Sequence, residues 1–168
     1  MLFRSNSVGG GYASTPGGWP SYYLQDHHIN VHSFQAQVAS LALEGAFEEF
    51  PRLRFVMIEG GFAWLPALAW RLDKLWNRLK VETPHLKRLP SEYIHENVWL
   101  TTQPMEEPAR REQVLDAIEW IGWDKLLFAT DYPHWDYDDP DQVLPMPLAE
   151  EKKRGFFLNN AVKLYGQG

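Results

Sequence analysis

The amino-acid sequence predicts an α/β fold in which about four βα units lay their strands side by side in a parallel sheet. Two observations carry that expectation. Short apolar runs rich in β-branched and aromatic residues alternate with longer stretches whose apolar residues return at helical spacing, and the runs end on polar side chains. Strands separated by helices of this length are joined in parallel by right-handed crossovers. In such sheets the chemistry gathers at the carboxyl ends of the strands, where the βα loops meet.

The elements follow in order. Residues 1–3 read as the end of a short strand, and "SNSVGGGYASTPGGWP" behind them as a glycine-rich loop. Residues 26–50 read as one helix, since Val31, Phe34, Val38, Leu41, Ala42 and Phe47 recur near helical spacing, and Pro51 stops it. "LRFVMIE", residues 53–59, is short and β-branched enough to be a strand, and "GG" breaks it. Residues 63–79 return to helix, with Pro66 in the first turn and Leu68, Leu72, Leu75 and Leu79 as a stripe. Residues 98–103 form the next strand. Residues 106–122 form a helix with Pro108 near its start and Gly122 at its end. "KLLFATD", residues 125–131, is the last strand, and residues 148–166 close the chain as helix.

Composition narrows the function classes. A chain of 168 residues, 45% hydrophobic and 14% aromatic, holds one domain with a sizeable core. The formal charge of −6, with Lys and Arg scattered along the chain, offers no basic surface for nucleic acid or anionic lipid. No apolar run reaches the roughly 20 residues of a membrane span, and the first residues lack a signal-peptide pattern. The absence of cysteine removes disulfides and thiolate sites. These features predict a cytoplasmic protein with neither nucleic acid nor membrane as partner.

Three strand ends deliver polar groups to one face: Asp131, Glu59, and Gln103 with Thr101 and Thr102. Asp131 and Glu59 are the candidate acid, base or metal-ligating groups. His134, three residues beyond Asp131, and Gln103 are candidates for touching substrate, and Trp19, Tyr22 and Tyr23 offer it apolar walls. His28 and His32 share a helix face at the spacing of a helical metal pair, but no Glu stands in register. His85 and His95 fall in polar connecting segments. The run "DYDDPD" lacks the spacing and glycine of a calcium loop and reads as a solvated turn. The glycine-rich loop lacks the Lys-Ser/Thr ending of a phosphate loop, and Trp64, Trp70 and Trp76 read as core or interface.

The stretches "PRLRFVMIEGGFAWLPALAWRLD", "TTQP" and "LLFATDYPHWD" resemble the C-terminal half of the metal-dependent amidohydrolase-related TIM barrels, the branch that includes aminocarboxymuconate-semialdehyde decarboxylase. The resemblance implies a barrel of eight βα units. A divalent metal, zinc or manganese, would be held by an H-x-H pair on the first strand, a His on the fifth and an Asp on the eighth. Asp131 matches the eighth-strand aspartate. "EGG" at Glu59 stands where the family has a catalytic His before a glycine pair, and Arg4 lies near the fifth-strand His. The histidines are 27, 28, 32, 85, 95 and 134, so no H-x-H occurs. The resemblance thus implies a metal-dependent hydrolase or decarboxylase of a small carbonyl, amide or carboxylate compound. With four units missing, weak or absent metal binding and an inactive isolated half are expected, and the chain pairs with itself or with an N-terminal half. The alternatives are a non-catalytic half-barrel subunit and a small-molecule binding module.

Overall fold

Four parallel strands stand side by side in the order in which the chain makes them: β1 (Leu2–Ser5), β2 (Arg54–Met57), β3 (Val98–Thr101) and β4 (Leu126–Leu127). The computed structural model describes residues 2–5, 18–144 and 147–166, with β1 known by its backbone pairing; residues 6–17 of the glycine-rich loop and the side chain of Arg4 lie outside that description. The register sets Phe3 against Phe55, Val56 against Trp99, and Leu100 against Leu126.

The helices between the strands are α1 (Tyr23–His28), α2 (Asn30–Leu43), α3 (Ala46–Glu49), α4 (Trp64–Leu79), α5 (Pro90–Asn97) and α6 (Arg111–Ile121), and α7 (Glu150–Arg154) and α8 (Asn160–Tyr165) follow the last strand. The strand period of two splits the sheet into unlike faces. Phe55, Met57, Val98, Leu100 and Leu126 point into the main core with Phe34, Val38, Leu65, Ala69, Ile94 and Ile118 of the helices. Val56 and Leu127 point the other way and meet Leu164 of α8.

Several expected elements change shape. The helix expected over 26–50 is three helices, broken at Ile29 and at Glu44–Gly45, although Phe34, Val38, Ala42 and Phe47 are buried as their spacing requires. The stripe on α4 is corrected too: Leu65, Ala69 and Leu72 face the core, while Leu75 and Leu79 are exposed, because the sheet meets the face one residue around. Helix α5 was expected as a connecting segment. It starts at Pro90, a residue preorganised for a first turn, and Glu92 accepts the Leu89 N–H at 2.8 Å. His95 accordingly lies on a helix and packs over Trp120, ring centroids 4.2 Å apart, with burial holding its imidazole below the usual histidine range. Helix α6 begins only at Arg111, and β4 ladders only two residues.

The glycine pair after β2 has a packing reason. A Cβ on Gly60 would sit 2.0 Å from the Phe34 ring, so only glycine lets α2 close on the end of β2. Gly61 has φ of 58°, and a Cβ there would meet Glu106 Oε1 at 2.7 Å.

Candidate functional site

The strand ends turn sharply where the polar residues stand. Glu59 and Asp131 both have left-handed backbones, φ 66° and 57°, which costs about 1 kcal/mol or more for a non-glycine residue and swings each side chain out of the ladder. The Glu59 N–H donates to Thr101 Oγ1 at 3.1 Å, and the Thr102 N–H donates to Leu127 O at 3.0 Å, so the ends of β2, β3 and β4 are tied laterally.

Asp131 opens a tight loop. The His134 N–H returns to Asp131 O at 2.9 Å, and the Asp138 N–H closes the loop on Thr130 O at 2.9 Å. This folding brings His134 Nδ1 to 3.0 Å from Asp131 Oδ2. It also brings in Asp136, so that Asp131, His134 and Asp136 each place one donor atom within 4.8 Å of the others. Asp136 is the anchored member. Its Oδ2 accepts from Gln103 Nε2 at 3.2 Å and lies 2.8 Å from His27 Nε2. Gln103 is 1% exposed, and its Oε1 has no partner among the described residues. His27 extends an aromatic wall. It stacks on Tyr23 at 5.9 Å and leans on Trp135 at 5.6 Å, and Trp135 Nε1 donates to Tyr23 Oη at 3.4 Å.

Two further acids brace the rim. Asp138 accepts from the Met105 N–H at 3.0 Å; burial pushes its carboxyl up to about 6, and Glu107 and Asp136 add to the shift. Glu106 Oε1 accepts from the N–H groups of Phe62 and Ala63 at 3.0 and 2.8 Å, capping the approach to α4. Burial raises its carboxyl above the usual range, and its Oε2 has no partner among the described residues.

Of the residues singled out in the sequence, Asp131, His134 and Gln103 come together here. Glu59 ends β2 but is not among the three converging donors. Trp19 and Tyr22 are exposed at 63% and 74%, and it is Tyr23 that meets the site loop. His28 and His32 stand edge to face at 5.5 Å with no third ligand gathered to them among the described residues. Sequence reasoning passed over His27, Asp136 and Glu106. The His27–Asp136 pair spans 109 positions and leaves no local signal.

A parallel sheet of βα units with polar groups gathered at the carboxyl ends of its strands is the layout shared by α/β barrels and open α/β sheets. The chain belongs to the amidohydrolase family, whose model matches residues 18–167. It is 35% identical over 128 residues to the gamma-resorcylate decarboxylase of Rhizobium sp. strain MTP-10005, covering 74% of this chain and 38% of that one. Its structure resembles 5-carboxyvanillate decarboxylase LigW from Sphingomonas paucimobilis, with a TM-score of 0.68 and 26% identity over 81% of this chain and 40% of that one. It also resembles a dihydroxybenzoic acid decarboxylase from Polaromonas sp. JS666 holding manganese and 2-nitroresorcinol, with a TM-score of 0.68 and 23% identity over 98% of this chain and 49% of that one. The chain thus spans half or less of the length of these relatives, and the half-barrel expected from the sequence is the fold observed. Among the described residues no helix is long and apolar enough to cross a membrane.

Proposed function

We propose that this chain forms the carboxyl-half wall of a metal-dependent decarboxylase acting on a hydroxylated aromatic carboxylate. The observation that carries the reading is the convergence of Asp131, His134 and Asp136 beside the Tyr23, His27 and Trp135 rings. Two carboxylates and an imidazole suit a divalent ion of the manganese or zinc kind, and they supply three donors while leaving coordination positions open. A bound ion would act as Lewis acid, neutralising the substrate's carboxylate or phenolate.

The chain's own residues do the rest. Tyr23, His27 and Trp135 offer faces for a planar ring, and Gln103 and His27 fix the Asp136 carboxylate against rotation. When the carboxyl leaves as carbon dioxide, the electron pair of the broken C–C bond stays on the ring carbon, and one proton must replace it there. We assign delivery of that proton to Glu59, which follows β2 on the carboxyl-end side of the sheet. The full ligand set needs strands this chain does not supply, so the site works with the other half of a barrel, either a second copy or an amino-terminal half.

The test is carbon dioxide release from gamma-resorcylate with manganese or zinc, by the chain alone and with a polypeptide supplying the first four βα units. Little turnover is expected alone. Metal-dependent turnover is expected in the supplemented sample, falling at least about a hundredfold in Asp131→Ala. Turnover indifferent to Asp131→Ala would overturn the site, and no turnover in either sample would overturn the activity.

A further inference from the structure

The opposite end of the sheet carries a cavity of about 350 Å³ that none of this chemistry uses. It opens where β2, β3 and β4 begin, and Arg52, Arg54, Asn97, Trp99, Asp124 and Lys163 contribute to its lining. Three cations scattered along the sequence converge on it. None of Arg52, Arg54 or Lys163 is in an ion pair among the described residues. Arg54 is held in place by donating from Nη1 to Leu164 O at 3.2 Å. The acid Glu96 is already taken by the fork of Arg88, at 2.6 and 2.9 Å.

Lys125 stands beside the cavity, Nζ 3.6 Å from the Trp99 ring and donating to Glu96 O at 3.0 Å. Burial holds its ammonium below the usual lysine range; Asp124 and Glu96 oppose that depression, and Lys163 and Arg54 add to it.

The polar wall also asks for a donor. Asn97 is 2% exposed, and its amide orientation is fixed because Nδ2 donates to Leu53 O at 2.7 Å and Pro51 O at 3.2 Å. Its Oδ1 is buried and has no partner among the described residues, a state that costs on the order of 1–3 kcal/mol unless a ligand or water relieves it. Asp124 adds a second acceptor.

We propose that this cavity binds a small hydroxylated carboxylate of the sugar-acid kind, its carboxylate on Arg54 and Lys163 and its hydroxyls donating to Asn97 Oδ1 and Asp124. A dianion is disfavoured because the Asp124 carboxylate on the same wall repels its second negative charge. A neutral polyol satisfies the acceptors but leaves the cations unanswered. The volume admits a ligand on the order of a dozen non-hydrogen atoms.

The test uses the whole chain labelled with 5-fluorotryptophan, with the Trp99 line assigned through Trp99→Phe. The probes are gluconate, glucose, acetate and inorganic phosphate at matched ionic strength. Gluconate is expected to shift the Trp99 line saturably, with glucose, acetate and phosphate each about tenfold weaker or more. Lys163→Gln, at an exposed position that leaves the fold intact, and Arg54→Gln are each expected to weaken gluconate about tenfold. No saturable shift, equal binding of acetate or glucose, tighter binding of phosphate, or gluconate affinity unchanged in both variants would overturn the proposal. The readout is independent of turnover, so it stands or falls apart from the decarboxylase reading.

Discussion

At the carboxyl ends of the strands the polar groups are acids that already have work inside the fold: Asp136 on Gln103 and His27, Asp138 on the Met105 amide, Glu106 on two amides before α4. At the amino ends they are cations, Arg52, Arg54 and Lys163, that face a cavity outside any ion pair among the described residues. The formal charge of −6 conceals this division. One end is built as a braced, preorganised rim and the other as an open cationic mouth. Substitutions at the first should therefore register in stability, and those at the second chiefly in ligand binding.

The largest effect should come from the packing beneath the rim. Phe34→Ala empties the space over Gly60 and should cost about 3–5 kcal/mol in urea unfolding. Gly60→Ala should cost about 1–3 kcal/mol, because its Cβ would enter the Phe34 ring. The double variant should cost clearly less than the sum, since each change removes the other's conflict; strict additivity would show that the two do not touch.

Asn97→Ala sharpens the contrast from the amino end. It removes the donations to the Pro51 and Leu53 carbonyls and should cost about 2 kcal/mol, the exception among polar residues at that end. Arg54→Gln and Lys163→Gln should leave the unfolding midpoint nearly in place, and a loss comparable to Asn97→Ala would erase the distinction drawn between the two ends.

Glu106 makes the contrast visible in pH. Its folded carboxyl titrates above the unfolded value of 4.5, because burial outweighs its two amide bonds. As pH rises through 4.5 the unfolded chain loses this proton first and the folded chain keeps it, so stability falls with pH until the folded carboxyl also ionises. Glu106→Gln should flatten that fall in unfolding curves taken at successive pH values. The smallest effect is expected at Lys152→Ala, which breaks an exposed pair with Glu119 and should leave the midpoint within experimental scatter.

The sequence made the parallel order and the acid that follows β4 legible, because alternation and polarity after a strand are local signals. It did not show that His27 would reach Asp136, since that contact depends on how α1 lies across a loop more than a hundred positions away. Nor did it separate the two faces of α4. Leu68, Leu72, Leu75 and Leu79 make a better stripe on paper than Leu65, Ala69 and Leu72, and only the sheet's position decides which is buried. Helix α5 is different, for Leu89, Pro90 and Glu92 carried a readable start signal that the polar residues around it outweighed. The cationic mouth was invisible because Arg52, Arg54 and Lys163 are neighbours only after the chain has returned under the sheet through α8.

The backbone at Glu59 bears on what could be installed there. A left-handed residue is a conformational filter: it admits glycine readily, asparagine, aspartate and histidine with modest penalty, and rejects β-branched side chains. Histidine passes that filter, so Glu59→His should be accepted by the turn without rebuilding it. A saturation library at this position would then sort first by backbone geometry and only afterwards by chemistry. Variants missing from its folded fraction would report on the turn, and among the survivors the imidazole is the group by which this strand end could be given a second proton carrier.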